Sequence, residues 1–277
     1  MKTIIVPIDF SNHSEFALKT AAFLAKKNGA RLIALHMLDI QADFFNESPS
    51  NIQERTVFYY QLAKKRFNDF LKKDYLKDIK VTPIIKHFKV FSEVNDLAVE
   101  ENADLIIMGS HGASGIKELF VGSNTEKVIR FSEVPVMVIK REMTDVSFDN
   151  VVYATDFSRE TIDAYIRIKS IVEGFNGKLD ILYVNTPYED FKTTAEMESL
   201  AAEFLVTAEG NTNYLSKVNF VSDRSVEQGI LNFANVIGAD LIGVSTHARK
   251  GLSHIFKGSL SEDIANHSSL PILTVKI

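Results

Sequence analysis

The chain is written twice. "IIVPIDFS" at residues 4–11 returns as "VVYATDFS" at 151–158, and a longer block at 103–140 returns at 239–276 with 13 identities in 38 ungapped positions. Two blocks repeated in the same order signify duplication of a unit of about 140 residues, an ordinary domain size. The expected domains are therefore residues 1–143 and 148–277, joined near "REMTDVSFDN" (141–150). The register offset falls from 147 at the first block to 136 at the second, so the second unit is 11 residues shorter in its middle. The extra length of the first unit is expected in "DIQADFFNESPSNIQ" (39–53), a contact site or lid through Phe44 and Phe45, or else a mobile solvated loop.

Inside each unit, short β-branched runs alternate with helical patterns. In the first, strands are predicted at 3–9, 31–38, 80–87, 104–109 and 134–140, with helices near 13–27, 52–74, 92–101 and 123–131. The helix near 13–27 is expected to bury Phe16, Ala17, Ala21, Phe23 and Leu24 and to stop at Gly29. The second unit repeats the order, with strands near 150–155, 179–185, 217–222, 240–244 and 270–276. Near-continuous apolar strands separated by helices predict an α/β fold: two tandem doubly wound, five-stranded parallel sheets, each covered on both faces.

Composition removes several function classes. A net charge of −5 and a pI near 5.8 provide no broad positive field for nucleic acid or an anionic membrane. With no cysteine there is neither a disulfide nor a thiolate metal site. No apolar run approaches the length of a membrane span, and "MKTIIVPIDFS" turns polar too soon for a secretion signal, so a cytoplasmic protein is expected. There is no GxxxxGK[ST], no GxSxG and no HExxH, and the seven histidines show no metal-ligand spacing. Neither catalytic nor metal-ligating residues are assigned. His111 and His247 recur at one loop position although neighbouring glycines change, which favours a structural role over acid–base chemistry.

The stretch "MGSHGASGIKELFVGS" (108–123) leaves the fourth predicted strand and enters a helix. In doubly wound folds ligands sit outside the carboxyl ends of the strands. Gly109 and Gly112 would permit close backbone approach or positive φ. Gly122 and Ser123 precede a helix whose free N–H groups suit an anion. Ser123 is also placed to cap that helix, with Glu126 completing a capping box. A tight loop and capped helix without ligand is the plainer alternative. Asp9, likewise, can take a ligand or cap the helix that follows it.

Gly109-x2-Gly112-x9-Gly122-Ser123, with Pro7 and Asp9 ending the first strand, resembles the ATP-binding universal stress proteins, whose signature is G-x2-G-x9-G followed by Ser or Thr. The likeness covers nearly the whole chain as a tandem pair. It implies that Asp9 meets the ribose or lies beside the adenine, that Pro7 lines the base pocket, and that the backbone near Met37 reads the adenine edge. Met108 and Gly109 would pass under the ribose, and Gly112, Gly122, Ser123 and Asn124 would cradle phosphates. The implied ligand is ATP or AMP, with Mg²⁺ held through the phosphates.

In the second unit Pro7, Gly109 and Gly112 are replaced by Ala154, Ser245 and Ala248, while Asp156, Gly258 and Ser259 keep the elements of a second site. Arg249 and Lys250 can meet an anion there or simply face water. The expectation is a nucleotide in the first unit and weak or no binding in the second. By resemblance, the Pro-led fifth strands pair as an internal pseudo-dimer, with a further homodimer allowed. The implied function is a regulatory or stress-response protein with an unknown protein partner, capable at most of slow ATP hydrolysis or autophosphorylation. Its rivals are a nucleotide-free interaction scaffold of the same family and an adenylating enzyme, for which no pyrophosphate motif is present.

Overall fold

The computed structural model describes residues 1–38, 49–87, 90–110, 122–143, 146–187, 191–246, 264 and 268–277. They divide between Val146 and Ser147 into two compact units.

In the first unit, β1 (Thr3–Ile8), β2 (Arg31–Leu38), β3 (Val81–His87), β4 (Leu105–Gly109) and β5 (Val136–Ile139) form a parallel sheet in the order β3-β2-β1-β4-β5. Helices α1 (Asn12–Asn28), α2 (Pro49–Phe70), α3 (Val90–Glu100) and α4 (Ser123–Phe131) connect them. The second unit repeats the plan with β6 (Asn150–Ala154), β7 (Lys178–Asn185), β8 (Val218–Ser222), β9 (Leu241–Thr246) and β10 (Ile272–Lys276), ordered β10-β9-β6-β7-β8 and again parallel. Helices α5 (Ile162–Gly174), α6 (Thr194–Glu209) and α7 (Val226–Ile237) lie among its described residues. The strand order reverses between β1 and β4, and between β6 and β9, which fixes the crevice of each unit at the carboxyl ends of those pairs.

The repeated "ADL" has a structural cause. Asp104 Oδ2 accepts hydrogen bonds from the backbone of Lys2 and Thr3, and Asp240 Oδ2 accepts from Asp149 and Asn150 at 3.1 and 3.0 Å. Each carboxylate ties the entry to the fourth strand of its unit to the start of the first.

Local chemistry sets the helix ends. Ser11 caps α1 by accepting from Ser14 N, and Gly29 closes it at φ 65°. Thr193 and Glu196 form a reciprocal capping box on α6, and Gly210 ends it at φ 72°. α1 buries Ala17, Leu18, Ala21, Ala22, Leu24 and Ala25, small side chains that bring the helix close to the sheet. Phe23, expected on that face, is 40% exposed, because at 100° per residue it lies on the side of α1 opposite the buried stripe, with Asn12, Lys26 and Lys27.

The extra length of the first unit is not confined to a loop. α2 starts at Pro49 and runs for 22 residues, against 16 for α6. Phe67 and Phe204 occupy matching sites (see below), and counting back from them gives α2 about two additional amino-terminal turns. Phe44 and Phe45 lie outside the described residues. Among the described residues no helix is long and apolar enough to cross a membrane.

Candidate functional site

The site is assembled where β1 and β4 end. Asp9 follows β1 directly, and its Oδ1 accepts from Ser11 N at 3.0 Å and Ser11 Oγ at 2.6 Å. Ser11 in turn caps α1, so Asp9 is not the helix cap. Among the described residues its Oδ2 makes no hydrogen bond. The turn leaves one carboxylate oxygen held and the other available to an incoming hydroxyl.

Between Asp9 and Ser11, Phe10 has φ 65°, a left-handed conformation that a bulky side chain rarely adopts. Its repeat partner Phe157 has φ 60°, and Asp156 Oδ1 accepts from Ser158 N at 2.9 Å, so both units hold the same turn. Packing over-determines it. The Phe10 ring lies 4.4 Å from His36, 5.7 Å from Phe67 and 5.6 Å from Phe70, centroid to centroid, with the Arg66 guanidinium 5.5 Å from its centroid. Phe157 stacks on Tyr183 at 5.7 Å and meets Phe204 edge-on at 5.4 Å. His36 and Tyr183 align in sequence, and Phe67 and Phe204 serve as the opposing ring. Sequence reasoning missed this cage; the signal was the second letter of the repeated "DFS". His36 Nδ1 lies 2.7 Å from the Ile8 carbonyl oxygen, and burial holds its pKa below the usual value despite that contact.

On the β4 side, two bonds fix the entry to α4. Thr125 Oγ1 donates to the Gly109 carbonyl at 3.0 Å, and Gly122 N donates to Ser110 O at 2.7 Å. The N-cap is Gly122, at φ −63° and ψ 148°, with no side-chain cap, and Ser123 is the first helical residue. A capping box through Ser123 and Glu126 is therefore not formed. Ser123, Asn124 and Thr125 head the helix, where N–H groups have no intrahelical acceptor and the dipole favours negative charge. The side chains of Ser123 and Asn124 are exposed.

Gly109 has no positive φ. A Cβ there would fall 2.7 Å from the backbone carbon and oxygen of His13, so the glycine lets α1 cross β4 at close range. In the second unit the matching residue is Ser245. Glu160, which aligns with His13, lies in a 3-10 turn (Arg159–Thr161), and α5 begins only at Ile162. Tyr153, aligned with Val6, donates its hydroxyl to Thr161 O at 3.4 Å and also meets Ser245. Burial pushes the Tyr153 hydroxyl up to about 12. A hydroxyl cluster thus occupies the place of the glycine–helix contact.

Of the other sequence-derived positions, Pro7 in β1 and Met37 in β2 are half-buried, and Met108 in β4 is buried. Asp9, Gly109 and the start of α4 belong to the same strand-end crevice; Asp156 is exposed in the second unit. Gly112, His111, Gly258, Ser259, His247, Ala248, Arg249 and Lys250 lie outside the described residues. Among the described residues no group of three or more His, Asp or Glu is gathered for a metal ion.

The universal stress protein family profile matches residues 1–140 and again 147–276. The chain belongs to the universal stress protein family. It is a tandem universal stress protein, one family unit per half. A universal stress protein of Methanocaldococcus jannaschii is 32% identical over 162 residues, spanning 51% of this chain and 96% of that protein. One from Thermus aquaticus is 26% identical over 145 residues, 50% of this chain and 98% of that one. The crystal structure of a universal stress protein from Archaeoglobus fulgidus matches the fold over 99% of this chain and 96% of its own, at TM-score 0.68 and 24% identity.

Proposed function

We propose that the first unit of this universal stress protein binds an adenine nucleotide, ATP or AMP, and that the bound state regulates a protein partner in a cytoplasmic stress response. The observation that carries this reading is the meeting of two complementary groups at one switch point. One is a carboxylate with an oxygen to spare (Asp9), the other a helix amino terminus capped by glycine (Gly122). Asp9 Oδ2 takes the ribose hydroxyls. Pro7, Met37 and Met108 line the base and sugar, and Gly112, Gly122, Ser123 and Asn124 receive the phosphates. Mg²⁺ is held by phosphate oxygens and water rather than by a protein carboxylate cluster.

The second unit binds weakly or not at all. Ser245 and the Tyr153 hydroxyl fill the space below its crevice, and Asp156, Gly258 and Ser259 alone do not restore a phosphate cradle. No residue is assigned to turnover; hydrolysis, where it occurs, is slow.

Isothermal titration of the full chain with ATP and AMP tests the reading. Gly122 has an ordinary extended conformation that valine can adopt, so Gly122→Val places a branched side chain where the phosphates are expected, at the cost of a poorer N-cap. Asp9→Asn keeps the Oδ1 acceptor for Ser11 but turns the free oxygen into a donor. The expected outcome is one nucleotide per chain, no binding by Gly122→Val, and at least tenfold weaker binding by Asp9→Asn, with both variants folded by circular dichroism and only a small fall in the midpoint of Gly122→Val from the poorer N-cap. Undiminished affinity in Gly122→Val places the site elsewhere.

A further inference from the structure

α2 turns apolar side chains toward solvent. It buries Ala63 and Phe67, while Val57, Phe58 and Leu62 are 55, 64 and 43% exposed, with Tyr59 and Tyr60 also exposed beside them. At 100° per residue, Arg55, Phe58, Leu62 and Lys65 follow one another along a narrow stripe that faces away from Ala63 and Phe67.

The fold does not demand these side chains. Aligned on Phe67 and Phe204, α6 of the sister unit carries Thr194, Ala195, Glu196 and Ser199 where α2 has Val57, Phe58, Tyr59 and Leu62. The same architecture is built there with small and acidic residues. An apolar stripe kept in water in one copy and absent from the other points to a binding surface.

Charge selects the occupant. The chain has a net charge of −5, yet the described side chains of α2 include Arg55, Lys64, Lys65 and Arg66 against Glu54 and Asp69. Asp69 is engaged by Lys72 at 2.9 Å. The stripe opens and closes on cations, and the Arg55 guanidinium is braced 5.9 Å over the Tyr59 ring. We propose that the α2 stripe docks an acidic amphipathic helix of a partner protein, whose apolar residues cover Phe58 and Leu62 while its carboxylates reach Arg55 and Lys65.

The test uses the full chain and a fluorescein-labelled peptide of Leu and Glu at helical spacing, with a Leu/Lys peptide of the same pattern as control. Anisotropy is expected to show binding of the Leu/Glu peptide only, weakening with salt. Affinity should fall at least tenfold in Phe58→Ser/Leu62→Ser and in Arg55→Glu/Lys65→Glu, with circular dichroism and thermal midpoints unchanged. Equal binding of both peptides, or indifference to these substitutions, overturns the proposal. So does capture by phosphatidylserine vesicles in place of the peptide, which makes the stripe a membrane contact. Self-association abolished by Phe58→Ser overturns it too, since the occupant is then a second copy.

Discussion

At Gly109 the missing Cβ first serves a helix. The backbone of His13 occupies the space a side chain would need, so Gly109→Ala must push α1 outward or bend β4. Overpacking of this kind costs about 1–3 kcal/mol, and thermal unfolding should show a lowered midpoint. Ser245 accommodates its side chain with a later helix start, and Ser245→Gly, which removes a hydroxyl that meets Tyr153 and puts glycine inside β9, is expected to lower the midpoint. The loss of this glycine from the second unit therefore has a structural counterpart, beyond any loss of ligand.

His36 gives a pH-dependent prediction at the same scale. Its folded pKa lies below its unfolded value because burial disfavours the charged form. Above the unfolded value near 6.5 it is neutral in both states and its stabilising contribution is complete. As pH falls through that value toward the folded pKa, the unfolded chain takes up the proton first and stability is lost. His36→Tyr, which copies Tyr183 of the sister cage, should flatten the fall in thermal midpoint between about pH 7 and pH 5. An equal slope in both proteins would deny His36 this role.

At the scale of elements, the caps are the most direct handle. Thr193→Ala removes the hydroxyl that accepts from Glu196 N, leaving the backbone N–H of residue 193 on the Glu196 carboxylate, and is expected to cost about 1 kcal/mol, measured as a lowered midpoint of unfolding. Caps and periodicity are also why much of the fold was legible. The predicted ranges of β2 and α4 coincide with the observed Arg31–Leu38 and Ser123–Phe131. α2 was harder to read because only Ala63 and Phe67 among its described side chains are buried, leaving little periodic signal, and its start at Pro49 fell inside a segment read as loop. The left-handed Phe10 and Phe157 were not legible, since local preference opposes that conformation in an aromatic residue and tertiary packing alone imposes it. At Gly109 the spacing signals a position that needs freedom from a side chain but does not name the neighbour; among the described residues the backbone of α1 makes that demand.

For the whole molecule, duplication supplies an internal control. Both units keep the Asp-Phe-Ser turn, the aromatic cage and the carboxylate that ties the fourth strand to the first, so these belong to the architecture. The units part where β4 and β9 end, with Gly109 in one and Ser245 in the other, and along the outer faces of α2 and α6. Differences of this kind are where function is expected to reside, because the shared frame accounts for the rest. The two proposals, a nucleotide site and a partner surface, accordingly both fall on the first unit.

The most direct measurement is a crystal structure of the full chain grown with ATP and Mg²⁺. The account predicts density in the first unit alone, the ribose within hydrogen-bonding distance of Asp9 and the phosphates at the amino terminus of α4. Density confined to the second unit, or a first unit empty at saturating nucleotide, would contradict it.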